Sequence, residues 1–217
     1  LSGSTMFIGG TFTTASATAR PAFAAVDATT GALAVSPTVA LNSGASVFSF
    51  ALSGSTLYIG GGYTSIGASA RTNLGAIDAA TGAVLPFQAN TNGNVRALLL
   101  DGSSLYVGGG FQQLGGLARS ALGRVDATTG TPDAFAPEAN AVVSVLVRSG
   151  TTLYVGGSVS SAGPRPGTNL AALSIASGSV LEWNPGLDGP ASAMTRTARR
   201  ILERFQHRDF ERERFES

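Results

Sequence analysis

Thr56-Leu57-Tyr58-Ile59-Gly60-Gly61-Gly62-Tyr63 sets three consecutive glycines directly behind an apolar run. Glycines in that place either cradle a phosphate or punctuate a fold. A phosphate loop of the Walker type needs a Lys and a Ser or Thr after its glycines, and a helix whose N-terminus faces the anion. Here the chain continues from Thr64 to Gly82 as TSIGASARTNLGAIDAATG, with no Lys and no helical period. Turn formers and strand formers dominate it instead. The glycines therefore read as the end of a strand.

The same phrase recurs. MFIGGTF at Met6, LYIGGGY at Leu57, LYVGGGF at Leu105 and LYVGGSV at Leu153 are spaced by 51, 48 and 48 residues. A second landmark keeps the phase: AVDATTG ending at Gly31, AIDAATG at Gly82, RVDATTG at Gly130 and LSIASG at Gly178. Between the landmarks an Ala-Arg pair returns at Arg20, Arg71 and Arg119, and near the equivalent fourth place stands Arg165. Two landmarks in register make this an internal repeat.

Each unit divides into four strand candidates. Taking the second and third together, strand A is Asn94 to Leu100, and a DGSS turn leads to strand B, Leu105 to Gly109. The QQLGGLAR loop then leads to strand C, Ala121 to Asp126, and after ATTG a weak strand D surrounds Phe135. Four strands in about 48 residues is the size of a β-propeller blade. Strands A and B are apolar on both faces, as where neighbouring sheets cover both sides. Phe87, Phe135 and Trp183 share one repeat position and are expected to staple the outer strand; the first copy has Ser36 there, so a looser edge is expected. The predicted fold is all-β: a β-propeller of four-stranded antiparallel blades, about four blades forming an arc of a larger propeller, with a helical C-terminal tail. The units run over about 1–51, 52–99, 100–147 and 148–194, and residues 195–217 form a separate charged tail.

Composition narrows the chemistry. With 217 residues, 43% apolar content and 29 glycines, the chain can bury a core and make many tight turns. No apolar run reaches the roughly 18 to 20 residues that span a bilayer, so membrane insertion is not expected. Because the chain starts at Leu1 without a visible signal peptide, it reads as a fragment or a processed piece. No Cys and no Lys are present, which excludes disulfides, thiolate metal sites, thiol nucleophiles and Schiff-base chemistry. The single His is His207. Residues 1–194 hold seven Arg against eight acidic residues, a neutral body without the basic stripe that nucleic acid requires.

After Met194 the glycines cease, and 12 of the last 23 residues are charged. Ile201, Leu202 and Phe205 have helical spacing, so an exposed amphipathic helix is predicted there. The segment reads as foreign to the repeat rather than as a nucleic-acid or partner-binding arm.

The phrases LYVGGxF, ARxxL, AxDAxTG and an aromatic followed by Pro (Trp183-Asn184-Pro185) resemble bacterial β-propeller repeats of unassigned function, a delta-sixty or Kelch-like type found in large secreted or surface proteins. They are similar, more weakly, to the tryptophan-docking repeats of quinoprotein dehydrogenases and outer-membrane assembly lipoproteins. The resemblance covers Leu1 to about Met194. It implies an extracellular or cell-surface location and fixes no activity.

Strand parity puts the B-to-C and D-to-A loops on one face, and ligands are expected there. Arg20, Arg71 and Arg119 lie on that face and are candidates for carboxylates or anionic sugars, although a residue repeated in every unit usually serves the unit itself. Glu138 and Asp188 fall in D-to-A loops and Arg165 in a B-to-C loop; being unrepeated, they are the more informative partner-binding candidates. A carboxylate pair acting on a glycoside is the enzymatic alternative. Asp27, Asp78 and Asp126 lack further carboxylates at calcium-ligand spacing and read as turn caps. The expected function is a non-catalytic interaction module that binds a protein or carbohydrate partner, with no cofactor. The alternatives are a fragment of a propeller lyase, glycosidase or quinoprotein, and a structural spacer.

Overall fold

A computed structural model describes residues 3–137, 139–159, 161–162, 165–166, 169–196 and 201–204. With each unit now counted from its long strand A, the first contains β1 (Thr5–Gly9), β2 (Thr14–Ala15), β3 (Thr18–Ala19) and β4 (Phe23–Asp27). In the second stand β5 (Ser46–Ser53), β6 (Thr56–Gly62), β7 (Ser65–Ile66), β8 (Ser69–Ala70) and β9 (Leu74–Asp78). The third repeats this as β10 (Val95–Asp101), β11 (Ser104–Gly109), β12 (Gln113–Leu114), β13 (Leu117–Ala118) and β14 (Leu122–Asp126). The fourth has β15 (Val143–Ser149), β16 (Thr152–Gly157), β17 (Ser161–Ala162), β18 (Arg165–Pro166) and β19 (Leu170–Ser174). A last hairpin joins β20 (Ala193–Arg196) to β21 (Ile201–Arg204).

The chain is all-β, and no helix occurs among the described residues. The sheets are antiparallel meanders of three strands, β5-β6-β9, β10-β11-β14 and β15-β16-β19, preceded by the pair β1-β4. Each B-to-C connection folds into its own two-residue hairpin, such as β7-β8.

Several expectations are corrected here. The sheets have three strands rather than four, because the D segment keeps only one bridge to strand C: Val26 with Leu33, Ile77 with Val84, Val125 with Pro132 and Leu173 with Val180. Beyond the bridge its hydrogen bonds go elsewhere. Pro37, Pro86 and Pro132 lack the N–H that a ladder needs, and the Gln88 N–H donates to the Thr129 carbonyl of the following unit at 3.1 Å. The expected arc of a larger propeller with four-stranded blades is not borne out either, and no closed propeller forms among the described residues. β1 packs on β4 and β5, β20 packs on β15 and β21, and no comparable contact joins the two ends among the described residues. The helical tail is also overturned where it is described: Ile201–Arg204 pairs antiparallel with Ala193–Arg196, because β20 lays an open edge beside the chain and tertiary pairing outweighs helical spacing. Residues 197–200 and 205–217 lie outside the described residues.

Successive sheets face one another, and the core sits between them. Ala22 and Phe23 of the first unit join Leu57 and Ile59 of the second. Tyr58, Leu74 and Phe87 join Leu105, Val107 and Val125, and Tyr106, Leu122 and Phe135 join Leu153, Val155 and Leu173. Both faces of the second and third sheets are thereby covered, which is why their strands alternate so little. The shared aromatic position packs edge-on against the strand-B tyrosine of its own unit: Tyr58 with Phe87 at 5.3 Å, Tyr106 with Phe135 at 5.4 Å and Tyr154 with Trp183 at 4.9 Å between ring centres. Ser36 of the first unit instead donates its hydroxyl to the Ala80 carbonyl of the second at 2.7 Å.

The glycine doublets have separate tasks. A Cβ on the first glycine would strike the next unit's first strand: Gly9 at Val47 Cγ1 and Gly60 at Val95 Cγ1, both at 2.6 Å, and Gly108 at Val143 Cγ1 at 2.5 Å. A Cβ on the second would strike a backbone carbonyl oxygen of its own unit, Ser46 at Gly61, Asn94 at Gly109 and Val142 at Gly157. The doublet thus lets each sheet touch its neighbour and close its own ladder.

Candidate functional site

The B-to-C hairpins and the D-to-A segments meet at one end of the sheets. Asn42 Oδ1 accepts the Thr64 N–H at 2.7 Å and the Ser65 N–H at 3.3 Å, reaching from the first unit into the hairpin of the second. Asn92 Oδ1 repeats this on the Gln112 and Gln113 amides at 2.8 and 2.9 Å. The Gly67 N–H donates to the Ala40 carbonyl and the Gly115 N–H to that of Asn90, at 2.7 and 2.9 Å. The first two D-to-A segments are therefore clamped onto the hairpins that follow them.

Between the second and third units this arrangement encloses a cleft of about 400 Å³, lined by Thr72, Gln88, Asn90, Asn92, Gln113 and the Gly115-Gly116 turn. Its side chains are uncharged amides and hydroxyls. Asn90 Oδ1 accepts the Thr72 N–H at 2.9 Å. With the amide oxygens of Asn90 and Asn92 held by backbone N–H groups, their Nδ2 groups have no partner among the described residues and remain as donors. Gly115 and Gly116, at φ +56° and +83°, form a two-residue turn with no side chains above the cleft floor. The sequence reading placed ligands on this face but did not single out Gln88, Asn90, Asn92 or Gln113. Their signal was an amide-rich D-to-A segment, QANTN, beside a QQ pair.

None of the described residues named from sequence lines this cleft. Arg71 donates from Nη1 to the Ala70 carbonyl at 2.9 Å and from Nη2 to that of Leu85 at 3.1 Å. Arg119 does the same to Ala118 and Asp133 at 2.7 and 2.5 Å. The Nε of each is buried without a partner among the described residues. Among the described residues Arg20 bonds only the Ala19 carbonyl, at 3.2 Å. The Arg71 and Arg119 guanidinium groups thus tie the second and third hairpins to the D segments of their own units. Asp188 is exposed in the D-to-A segment of the fourth unit. Arg165 lies in β18, paired with Ala162, and Glu138 lies outside the described residues, so the carboxylate separation a glycosidase needs is not defined.

Asp27, Asp78 and Asp126 are each engaged by their own turn. Asp78 Oδ1 accepts the Ala80 N–H at 3.1 Å, the Thr81 N–H at 2.8 Å and the Thr81 hydroxyl at 2.8 Å. The Thr81 N–H, then the Thr81 hydroxyl, hold the Asp78 carboxyl below its ordinary value. Thr30 and Thr129 do the same for Asp27 and Asp126. Among the described residues no three His, Cys, Asp or Glu side chains gather as a metal site. Tyr63 is buried with its hydroxyl on the Ile59 carbonyl at 2.6 Å, and burial pushes its ionisation well above the usual range.

In fold the chain is similar to two designed proteins. One is the computationally designed Ika8 protein, at 14% identity and a TM-score of 0.54, covering 83% of this chain and 48% of that one. The other is the computationally designed Ika4 protein, at 14% identity and a TM-score of 0.51, covering 75% of this chain and 86% of that one. The chain thus spans about half the length of Ika8, and at this identity the likeness concerns the fold alone. No family model and no curated protein matches the chain. Among the described residues no helix is long and apolar enough to cross a membrane, which says nothing of a β-barrel.

Proposed function

We propose that this chain is a non-catalytic interaction module of a bacterial secreted or cell-surface protein, and that it binds an uncharged carbohydrate on its loop face. The observation that carries the reading is the cleft between the second and third units, whose Asn, Gln and Thr side chains offer paired donors and acceptors of the kind sugar hydroxyls require. Preset Asn90 and Asn92 amides favour a ligand that accepts hydrogen bonds in fixed directions. Clamped hairpins hold these groups in place, which reduces the ordering cost of binding. The resemblance of the repeats to those of large secreted bacterial proteins supports the location.

A glycan array probed with the full chain, followed by calorimetry on any hit, tests the reading. Gln88 and Gln113 are exposed, so Gln88→Ala with Gln113→Ala should remove cleft contacts without unfolding the chain. Saturable binding weakened about tenfold in that double variant is the expected result. Absence of glycan binding, or equal affinity in the variant, rejects the carbohydrate assignment. Turnover of a bound glycan would make the chain an enzyme.

A further inference from the structure

On the face formed by the A-to-B and C-to-D turns, the second and third units differ at one telling position. Opposite the strand-B tyrosine, strand C carries Ala76 in the second unit and Arg124 in the third. The aromatic surroundings are the same: Tyr58 meets Phe87 edge-on as Tyr106 meets Phe135. Arg124 shows what fits beside such a pair. Its guanidinium carbon lies 5.6 Å from the centre of the Tyr106 ring and 5.0 Å from that of Phe135. Nη1 donates to the Tyr106 hydroxyl at 3.3 Å and to the Ile175 carbonyl of the fourth unit at 3.2 Å, and Nε donates to Asp133 Oδ2 at 2.5 Å.

In the second unit the side chain stops at the Ala76 Cβ, and the corresponding place is a cavity of about 350 Å³. Tyr58, Leu85, Phe87 and Ala127 line it together with Ala76, and the exposed Ser103 and Thr128 border it. Ala127 stands 48 residues before Ile175, in the same register of the repeat. The Tyr58 hydroxyl donates to the Ala127 carbonyl at 2.5 Å, and both oxygens keep a lone pair that can accept a further bond. Among the described residues no cationic side chain lines the cavity. Burial first, and then the negative charge of Asp126, push the Tyr58 ionisation up, so the field at this hydroxyl is negative as well. Leu85 stands where the third unit has Asp133, and with Pro86 beside it this wall suits a methylene stem rather than a bare ion.

We propose that this cavity binds the guanidinium group of an arginine side chain carried by a protein partner, in the place that Arg124 fills one unit further on. The planar group lies against the Tyr58–Phe87 pair and donates to the Ala127 carbonyl and the Tyr58 hydroxyl, while its stem runs along Leu85. Lysine, a point charge without a planar face, matches the site less well. The cavity is separate from the amide cleft, so this assignment stands or falls independently of glycan binding there.

Amide NMR of the full chain, titrated with a blocked Gly-Arg-Gly peptide, its neutral citrulline counterpart and ethylguanidinium, tests this. The arginine peptide should bind saturably with a Kd of about 1–10 mM, moving the amides of Phe87, Ser103 and Thr128, and the citrulline peptide about tenfold more weakly. Shifts that are absent, spread over the chain or equal for the two peptides overturn the proposal. Binding of ethylguanidinium without binding of the arginine peptide overturns the partner's side chain as the source. Ala76→Arg with Leu85→Asp copies the third unit into the second and should abolish the shifts; a folded variant that still binds overturns the site. Arg124→Ala opens the equivalent place beside Asp133, where the arginine peptide should then also bind and move the Phe135 and Ile175 amides; no binding there overturns the template. Should either variant unfold by circular dichroism, the wild-type titrations decide.

Discussion

Asn73 donates from Nδ2 to the Thr91 carbonyl at 3.0 Å while its own backbone lies in the left-handed region at φ +64°. Its Oδ1 also accepts the Tyr63 N–H at 3.2 Å. The residue just before strand C is left-handed in all four units: Ala22, Asn73, Ala121 and Asn169 lie at φ +60°, +64°, +59° and +59°. Asn169 reaches the Leu187 carbonyl in the same way, at 3.1 Å. In the third unit Ser120 does this work instead, its hydroxyl on the Ala139 carbonyl at 2.7 Å. Asn tolerates this backbone region, whereas Ala is strained there. Asn73→Ala should therefore cost about 1–3 kcal/mol by stranding buried polar groups. Ala121→Gly should add about 0.5 kcal/mol by relieving strain. Urea denaturation of both variants checks the pair, and shifts of the same sign would contradict the assignment.

The glycine doublets give a sharper contrast. At Gly60 the obstacles are side chains, Ser49 Oγ and Val95 Cγ1, both 2.6 Å from a Cβ. Gly109 faces the Asn94 carbonyl oxygen, which belongs to backbone and cannot rotate away. Gly60→Ala should cost about 1–3 kcal/mol, the range for overpacking a filled core, and Gly109→Ala more than that. Thermal melts that rank the two in the opposite order would show that the strand ladder yields more easily than the contact between units.

Much of this architecture was legible because it repeats. Leu57, Leu105 and Leu153 recur with their glycines, and strands A, B and C fall where their apolar runs lie. Strand D was misread for a physical reason: an aromatic beside a Pro looks like a short edge strand, but Phe87 packs on Tyr58 while the Gln88 N–H bonds to the next unit. Ile201 and Leu202 misled through spacing that fits a helix as well as a strand, and only the open edge of β20 decides between them. The amide cleft was hidden for another reason. Asn90 and Gln113 are 23 residues apart in sequence and meet only through the clamp between units.

Acid should loosen the turns that Asp27, Asp78 and Asp126 hold. Their folded carboxyls lie below the ordinary value of 3.8. The stability they supply is therefore complete above the unfolded pKa of about 3.9 and is lost as pH falls through the lower folded value. Tm should be flat above about pH 5 and fall below about pH 4. Asp78→Ala should melt at lower temperature at neutral pH and show a shallower acid fall, since one protonation site has gone. A variant with an unchanged acid slope would place the acid sensitivity elsewhere.

The four B-to-C hairpins supply an internal control for turn chemistry. In the third unit Gly115 and Gly116 both have positive φ, the geometry of a type I′ turn, and glycine adopts it without strain. Ser16 and Ala17 of the first unit hold the same geometry at φ +48° and +58° with side chains that resist it. The first hairpin should accordingly be the weakest, with β2 and β3 exchanging their amides sooner than β12 and β13. Replacing Ser16 by Asn and Ala17 by Gly should relieve both positions and add about 0.5–1 kcal/mol for each site. Amide hydrogen exchange across residues 13–20 checks this against residues 112–119: protection in the first hairpin should rise toward that of the third, and a double variant with unchanged protection would show that the backbone there does not hold the left-handed turn in solution.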